Sequence, residues 1–209
     1  MNDENLTVAI LVGGASKRFK AEKYTAAFQG RPLIVHMADI AKQISNRVII
    51  ATSTNEQAEE VRKLVKWAEV AVDPEESDRA ALVGALTAFE YAESKYTLLL
   101  PVDTPLANVG LLRVLVDLAE GHGAVVPSWP SGYIEPLHAV YLTEHAYLNG
   151  LKTLENGRRR MQELLDNLTN VLYVSTLILK EMDPELSTFD NVNTSGDLRA
   201  LEKKVAKRV

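Results

Sequence analysis

The chain has 209 residues, of which 46% are hydrophobic and 24% charged, with four histidines, no cysteine and a formal net charge of −5 at pH 7. A chain of this length buries about 70% of its unfolded surface on folding, so it needs no disulfide or metal to hold a core together. We therefore predict one domain spanning residues 1–209. The lack of cysteine excludes thiolate nucleophiles, Fe–S clusters and Cys-ligated zinc, and it is typical of a reducing, cytoplasmic location.

The acidic balance and the N-terminal residues bear on partners and location. A net negative charge gives no general attraction to nucleic acid or to an anionic membrane. Residues 1–5 are acidic and polar where a secretory signal is basic and then apolar. No run approaches the roughly 18 apolar residues of a spanning helix. We expect a cytoplasmic protein that binds neither nucleic acid nor membrane and captures any anionic ligand locally.

Short β-branched runs alternate with segments of helical periodicity, a pattern that predicts βαβ units and a parallel sheet. Apolar positions recur with helical spacing over Pro32–Ile44 and Val109–Ala119, which we predict to be helices. Candidate N-caps are Asn55, Asn108 and Thr194. The predicted strands are Thr7–Val12, Arg47–Thr52, Glu69–Val72, Tyr96–Val102 and Ala124–Val126.

The pattern changes after about residue 130. Ile134–Leu142 has strand composition but contains Pro136, which belongs at a sheet edge or a bend. Thr194 and Asp197 have the spacing of a capping box that starts a last helix. We predict a single-domain, Rossmann-like α/β/α sandwich of three layers. Its sheet is expected to be mainly parallel, with an antiparallel or irregular C-terminal part.

The strongest motif is the loop Gly13–Lys23, directly after the first strand. Gly13 and Gly14 let backbone amides approach a ligand closely, and Arg18 and Lys23 supply positive charge. The loop is neither a Walker A sequence nor G-x-G-x-x-G. Open α/β sheets bind ligands at the carboxyl ends of their strands. The position therefore favours a phosphate cradle over the alternative, a turn with solvated cations.

Two aspartates follow apolar strands in the same way. Asp103 follows Tyr96–Val102, where one carboxylate suffices to hold Mg²⁺ between itself and phosphate oxygens. Asp73 follows Glu69–Val72, where a carboxylate would accept both the N1–H and the exocyclic amine of a guanine. The alternative is that each aspartate only opens a turn, since a proline lies one or two residues further on.

The loop resembles the L-A/V-G-G-x-S-x-R-M/F-G-x-D-K signature of the molybdenum cofactor guanylyltransferases, the MobA-like branch of the GT-A type nucleotidyltransferases. Further segments resemble this family in order along almost the full chain. They are Asp73 with Leu82–Gly84, Pro101–Pro105, Ile134–Tyr141, Gly157–Arg159 and Phe189–Thr194. The chain departs from the family at Lys20 and Glu22, where the signature has Gly and Asp, and at Ala80–Ala81, where it has Gly-Pro.

The resemblance implies a function for each matched position. Arg18, Lys23 and Asp103 are the implied catalytic residues: the two cations neutralise the triphosphate, and Asp103 holds Mg²⁺. The implied nucleotide contacts are Leu11, Val12, Gly13, Gly14, Ser16, Lys23 and Asp103 along the nucleotide, with Asp73 and either Ser53 or Asn55 at the guanine. The implied molybdopterin side consists of Asn191 and Asn193, with Arg158 or Arg159 at the phosphate.

The implied reaction is Mg²⁺-dependent transfer of GMP from GTP to the phosphate of molybdopterin, with release of pyrophosphate. An ionised phosphate is itself the nucleophile, which fits a sequence without a Ser-His-Asp order or a catalytic cysteine. The resemblance also implies transient contact with molybdoenzyme-maturation proteins. Two alternatives remain: a related enzyme that uses CTP or a sugar or alcohol phosphate, and a catalytically silent nucleotide-binding adaptor.

Overall fold

The computed structural model describes residues 5–13, 22–75 and 80–206. The strands are β1 (Leu6–Leu11), β2 (Ala27–Phe28), β3 (Arg31–Pro32), β4 (Arg47–Thr52), β5 (Glu69–Val72), β6 (Tyr96–Pro101), β7 (Ala124–Ser128), β8 (Val140–Leu142) and β9 (Val171–Ser175). The α-helices are α1 (Leu33–Ile44), α2 (Asn55–Leu64), α3 (Ala81–Tyr91), α4 (Val109–Asp117), α5 (Thr143–Glu155), α6 (Met161–Leu165), α7 (Thr176–Leu179) and α8 (Ser195–Ala206). Short 3-10 turns occupy Lys23–Thr25 and Ser187–Phe189.

One seven-stranded sheet organises the molecule, in the order β5-β4-β1-β6-β8-β7-β9. The pairs β5–β4, β4–β1, β1–β6 and β7–β9 are parallel, whereas β8 is antiparallel to both β6 and β7. The predicted mainly parallel sheet with an antiparallel C-terminal part is confirmed. The amino end of β8 therefore lies at the same edge as the carboxyl ends of the other strands.

Helices cover both faces of this sheet, which confirms the three-layer arrangement. In β1, Val8 and Ile10 join a core cluster with α1 and α4, while Ala9 and Leu11 join a second cluster with α3, α5 and α6. Burial on both faces explains why the central strands are continuous apolar runs instead of alternating ones. Within the described ranges, no helix is both long and apolar enough to cross a membrane.

Two local expectations were wrong. Asn55 is not an N-cap: Thr54 precedes α2, and its hydroxyl accepts a 3.3 Å hydrogen bond from the Gln57 N–H. The predicted strand Ile134–Leu142 is shorter, because only Val140–Leu142 pairs as β8. Pro136 lies in the turn before β8, where its missing N–H costs no ladder hydrogen bond. The paired residues of β8 contain no proline, so the strand can lie inside the sheet between β6 and β7.

Candidate active site

A cleft of about 710 Å³ lies along the carboxyl edge of the sheet. Residues after β1, β4, β5 and β6 line it, together with the turn before β8 and the loop before α8. Most of the residues predicted from the motifs within the described part of the chain meet here. They are Leu11, Val12, Gly13, Lys23, Ser53, Asp73, Asp103, Asn191 and Asn193.

Lys23 and Asp103 form the centre of the cleft. The Lys23 ammonium donates to Asp103 Oδ2 at 2.6 Å and to Asn193 Oδ1 at 2.9 Å. The Val192 N–H donates to the Asp103 backbone carbonyl at 2.8 Å, which ties the loop before α8 to the end of β6. Asp103 Oδ1 is buried and has no hydrogen-bond partner among the described residues. One oxygen of this carboxylate is therefore paired with a cation, and the other is available to a ligand.

The donor set around Asp103 fits a hard divalent cation held with the help of substrate. Within the described part of the chain, no three histidine, aspartate or glutamate side chains form a metal-binding group. Mg²⁺ commonly takes one or two carboxylates and completes its shell with phosphate oxygens and water. Asp103 Oδ1, which no described residue contacts by a hydrogen bond, can supply one such ligand. Asn193 Oδ1 lies near Asp103, because Lys23 donates to both side chains.

Asp73 lies at one end of the cleft, at the carboxyl end of β5. Its side chain is buried, and its Oδ1 accepts a 2.7 Å hydrogen bond from the hydroxyl of Thr87 on α3. Burial raises the pKa of Asp73 above its ordinary value, and hydrogen bonds from Thr87 and Ser53 partly oppose that shift. A buried acceptor with few donors of its own is suited to a ligand edge that carries N–H groups.

Gly13 and Ser53 approach each other closely on the floor of the cleft. A Cβ at Gly13 would lie 2.6 Å from Ser53 Oγ, so any larger residue would displace that hydroxyl. Some of the backbone groups that were predicted to contact the nucleotide already form hydrogen bonds with neighbouring strands or strand ends. The Leu11 carbonyl accepts from Val102 N–H, and Val12 N–H donates to the Ala51 carbonyl.

A second buried carboxylate, Glu135, lies beyond Asp103 and was not predicted from the sequence. Its Oε1 accepts a 2.8 Å hydrogen bond from Trp129 Nε1, and its Oε2 lies 3.8 Å from His138 Nδ1. The buried His138 bonds Thr104 Oγ1 through Nε2 at 3.2 Å. The exposed ring of Tyr133 lines the cleft beside this group. The sequence Trp-Pro-Ser-Gly at 129–132 is typical of a turn and precedes these residues. This turn pattern indicates that the chain reverses before Glu135.

Several predicted residues are not brought to the cleft. Asn55 lines a smaller adjoining pocket of about 190 Å³, behind Asp73. Arg158 and Arg159 lie in the exposed connection between α5 and α6, outside the residues that line the cleft. Arg159 donates to the Leu154 carbonyl at 3.1 Å. The remaining predicted residues, Gly14, Ser16 and Arg18, lie outside the described part of the chain.

The fold agrees with comparison to known proteins. A family model described as MobA-like NTP transferase domain matches residues 8–171. The chain belongs to this family. A probable molybdenum cofactor guanylyltransferase of Pyrococcus furiosus is 33% identical over 93% of this chain and 95% of its own length. A second, from Pyrococcus horikoshii, is 30% identical over 94% of this chain and 98% of its own length.

Solved structures support the same assignment. The molybdopterin-guanine dinucleotide biosynthesis protein A of Archaeoglobus fulgidus has a TM-score of 0.83 and 26% identity, covering 96% of this chain and 99% of its own. A 4-diphosphocytidyl-2C-methyl-D-erythritol synthase from Anaerococcus prevotii, only 10% identical, shares the fold, with a TM-score of 0.73 and coverage of 98% and 97%. This MobA-like protein is therefore a nucleotidyltransferase with the fold of that enzyme class.

Proposed function

We propose that this enzyme transfers GMP from GTP to the phosphate of molybdopterin, in a Mg²⁺-dependent reaction that releases pyrophosphate. The observation that carries the proposal is that Asp73 and Asp103 line the same cleft, with Asp103 Oδ1 buried and without a partner in the part of the chain that the structure describes. The names of the relatives support guanine as the base and molybdopterin as the acceptor.

The charge of the cleft supports a role for a divalent cation. Among the described residues that line it, four carry carboxylates and only Lys23 bears a full positive charge. A triphosphate would be repelled by such a surface unless further positive charge arrived with it. Bound Mg²⁺ would supply that charge at the α-phosphate, held by Asp103 and with Asn193 as a candidate second ligand. Lys17, Arg18 and Lys20 of the Gly13–Lys23 loop would add to it.

The residues of the chain would act by alignment and charge neutralisation. An oxygen of the acceptor phosphate attacks the α-phosphorus of GTP, a P–O bond to the acceptor forms, and the P–O bond to pyrophosphate breaks. The nucleophile is already ionised, so no side chain needs to remove a proton. Lys23 would stabilise the negative charge that develops on the departing pyrophosphate, a contribution typical of phosphoryl transfer.

Asp73 would select the base. A carboxylate accepts two hydrogen bonds from the N1–H and exocyclic amine of guanine, whereas adenine and cytosine lack that pair of donors. Thr87 holds Asp73 Oδ1, and the absent side chain of Gly84 leaves space beside Oδ2. A Cβ at position 84 would lie 4.0 Å from that oxygen, in ordinary contact.

Pyrophosphate release with each of the four ribonucleoside triphosphates, with and without molybdopterin and Mg²⁺, tests the proposal. We expect release only with GTP, molybdopterin and Mg²⁺ together. Faster release with CTP would assign the enzyme to cytidylyl transfer. Release with a sugar or alcohol phosphate in place of molybdopterin would change the acceptor. Nucleotide binding without release under every condition would favour a silent adaptor.

A further inference from the structure

Glu135 has no function in the reaction described so far, although it lines the active-site cleft. The side chain is buried, with 9% of the residue exposed. Trp129 Nε1 binds its Oε1, and no described residue donates a hydrogen bond to its Oε2. His138 Nδ1 is the near neighbour, but at 3.8 Å it lies beyond hydrogen-bond distance. Because Glu135 lines the cleft, its Oε2 is placed to accept hydrogen bonds from a ligand that enters there.

The order of the strands places Glu135 on the opposite side of Asp103 from Asp73. Neighbouring strands lie about 4.8 Å apart, so three spacings, about 14 Å, separate β5 from β6. The turn that carries Glu135 joins the ends of β7 and β8, which lie on the other side of β6. If the base is bound at Asp73 and the α-phosphate at Asp103, the acceptor must extend toward Glu135.

The charge of Glu135 restricts which part of the acceptor can lie there. A phosphate next to this carboxylate would be repelled, and Lys23 is already at Asp103. A neutral ring that presents N–H donors would instead be attracted. The 2-amino-4-oxopyrimidine ring of a pterin has such an edge, with N3–H beside an exocyclic amine. It is the same donor pair that guanine would present to Asp73.

Tyr133 supplies a flat surface next to this carboxylate. The residue is 63% exposed and lines the cleft, two positions before Glu135. Its place is fixed by the turn at 129–132: Gly132 has a φ of +85° and its N–H donates to the Trp129 carbonyl at 2.9 Å. Aromatic side chains hold planar heterocycles by stacking in many nucleotide sites.

We propose that Glu135 and Tyr133 form the pterin-recognition end of the cleft, with Glu135 Oε2 accepting from the N3–H and amino edge and the Tyr133 ring stacking on the pterin. This inference rests on the proposed function, because it assumes a pterin acceptor. In this arrangement each end of the cleft has one carboxylate that accepts hydrogen bonds from a ring edge with N–H groups. Asp73 would accept from guanine, and Glu135 would accept from the pterin.

Binding of free pterin, measured by the change in its own fluorescence, tests the inference without turnover. Lumazine, which lacks the 2-amino group, is the comparison probe, and both are titrated with Mg²⁺ and a non-hydrolysable GTP analogue present. The wild-type enzyme should bind pterin at least fivefold more tightly than lumazine. Glu135→Gln should weaken pterin binding at least tenfold and remove the preference over lumazine. The glutamine amide is neutral and has one oxygen acceptor, whereas the carboxylate is charged and has two.

Two further variants make the result specific. Tyr133→Ala should weaken binding of both probes at least threefold, because stacking does not depend on the amino group. Tyr133 is exposed, so its removal should leave the fold intact. Glu120→Gln, an exposed glutamate near the opposite edge of the sheet, should bind both probes as the wild type does. Affinity for the GTP analogue should stay within twofold in Glu135→Gln.

The outcomes separate the inference from the proposed function. Equal pterin affinity in wild type and Glu135→Gln, or no pterin binding by the wild type, overturns the inference. If pterin binds as described but GTP and molybdopterin yield no pyrophosphate, the proposed reaction fails and the pterin site stands. If pyrophosphate is released while pterin binding does not depend on Glu135, the reaction stands and the pterin site fails.

Discussion

The two oxygens of Asp103 have different surroundings, and this asymmetry governs the chemistry proposed for the site. Oδ2 is paired with Lys23, while Oδ1 is buried and has no partner within residues 5–13, 22–75 and 80–206. A carboxylate that pairs with an ammonium through one oxygen can still ligate a metal ion through the other. The Lys23 pair also keeps the Asp103 carboxylate in place, because it holds Oδ2 while Val192 N–H holds the backbone carbonyl.

Replacing Asp103 with asparagine should remove Mg²⁺-dependent turnover while the fold remains intact. The amide keeps the size of the side chain but removes its charge, so we expect kcat/KM to fall at least about 100-fold, as for loss of a group that stabilises transition-state charge. Pyrophosphate release across a Mg²⁺ titration is the measurement. Asp39→Asn is the matched control, because Asp39 is an exposed partner of Arg31. Near-wild-type activity of Asp103→Asn in Mg²⁺ would contradict the metal assignment.

Asp73→Asn should separate nucleotide binding from stability. Burial raises the folded-state pKa of Asp73, so the ionised carboxyl destabilises the fold at pH values above that pKa. Asparagine removes this cost, and the free energy of unfolding at pH 7 should be equal to or higher than that of wild type. The difference should vanish below about pH 3.9, the ordinary aspartate pKa, because both side chains are then neutral.

Loss of the carboxylate should at the same time weaken GTP binding. A hydrogen bond to a charged group contributes about 1.5–3 kcal/mol, and asparagine keeps one of the two oxygen acceptors, so we expect the loss of about one such contribution, or about 10–100-fold in Kd. Isothermal titration with GTP and denaturant unfolding at pH 3 and pH 7 measure the two effects. Unchanged GTP affinity in Asp73→Asn would show that this carboxylate does not read the base.

Asp73 and Asp103 were predicted from the sequence because each directly follows a predicted strand. Asp73 and Asp103 sit at the carboxyl ends of β5 and β6, and parallel strands bring such positions to one edge. Glu135 was missed because it precedes an antiparallel strand, so its place at the same edge depends on the reversal of the chain after β7. Arg158 and Arg159 were expected at the cleft from a motif alone, which does not fix the direction of the connection that carries them.

At the scale of elements, the start of α8 controls where Asn193 lies. Asp197 Oδ2 accepts from the N–H groups of Asn193 and Thr194 at 2.8 and 2.7 Å, and Asp197 N–H donates to Thr194 Oγ1 at 3.2 Å. This reciprocal arrangement is the predicted capping box. It fixes the backbone of Asn193, whose side chain accepts from Lys23. The cap of α8 therefore helps to position a side chain in the cleft.

Asp197→Ala should destabilise the protein by about 0.5–2 kcal/mol at pH 7, the usual cost of losing a capping side chain. The hydrogen bond from Asn193 N–H, first among several causes, lowers the folded-state pKa of Asp197. The stabilisation is therefore present above the unfolded pKa and is lost as pH falls through the folded one. Urea unfolding should show the difference at pH 7 and not at pH 2. Asp197→Asn keeps an acceptor and should retain part of the effect, and a pH-independent difference would exclude the carboxylate as the cause.

The elements themselves were predicted where periodicity was strong. Arg47–Thr52 and Glu69–Val72 were predicted with the bounds that β4 and β5 have, and α1 and α4 differ from prediction by one or two residues at an end. The hairpin of β2 and β3 was not predicted, because each strand has two residues and shows no alternation. Its turn at Gln29 and Gly30 has φ values of 48° and 77°, a geometry fixed by the local backbone and not by hydrophobic pattern.

For the molecule as a whole, the two ends of the cleft and its centre lie on one sheet, so ligand binding should stabilise the entire fold. A ligand at 100 times its Kd adds about 2.7 kcal/mol to the free energy of unfolding, which is about 5–11 °C in Tm for a domain of this size. We expect GTP with Mg²⁺ to produce a shift of this order, and CTP or ATP at the same concentration to produce a smaller one. Differential scanning calorimetry measures all three.

The same experiment on two variants assigns the stabilisation to its sources. Asp73→Asn should lose the difference between GTP and CTP but keep the dependence on Mg²⁺, because the base end is changed and the centre is not. Asp103→Asn should lose the dependence on Mg²⁺ but keep a small difference in Tm between GTP and CTP. If both variants lose both effects, base recognition and metal binding are not separable along the sheet edge, and the division of the cleft inferred from strand order fails.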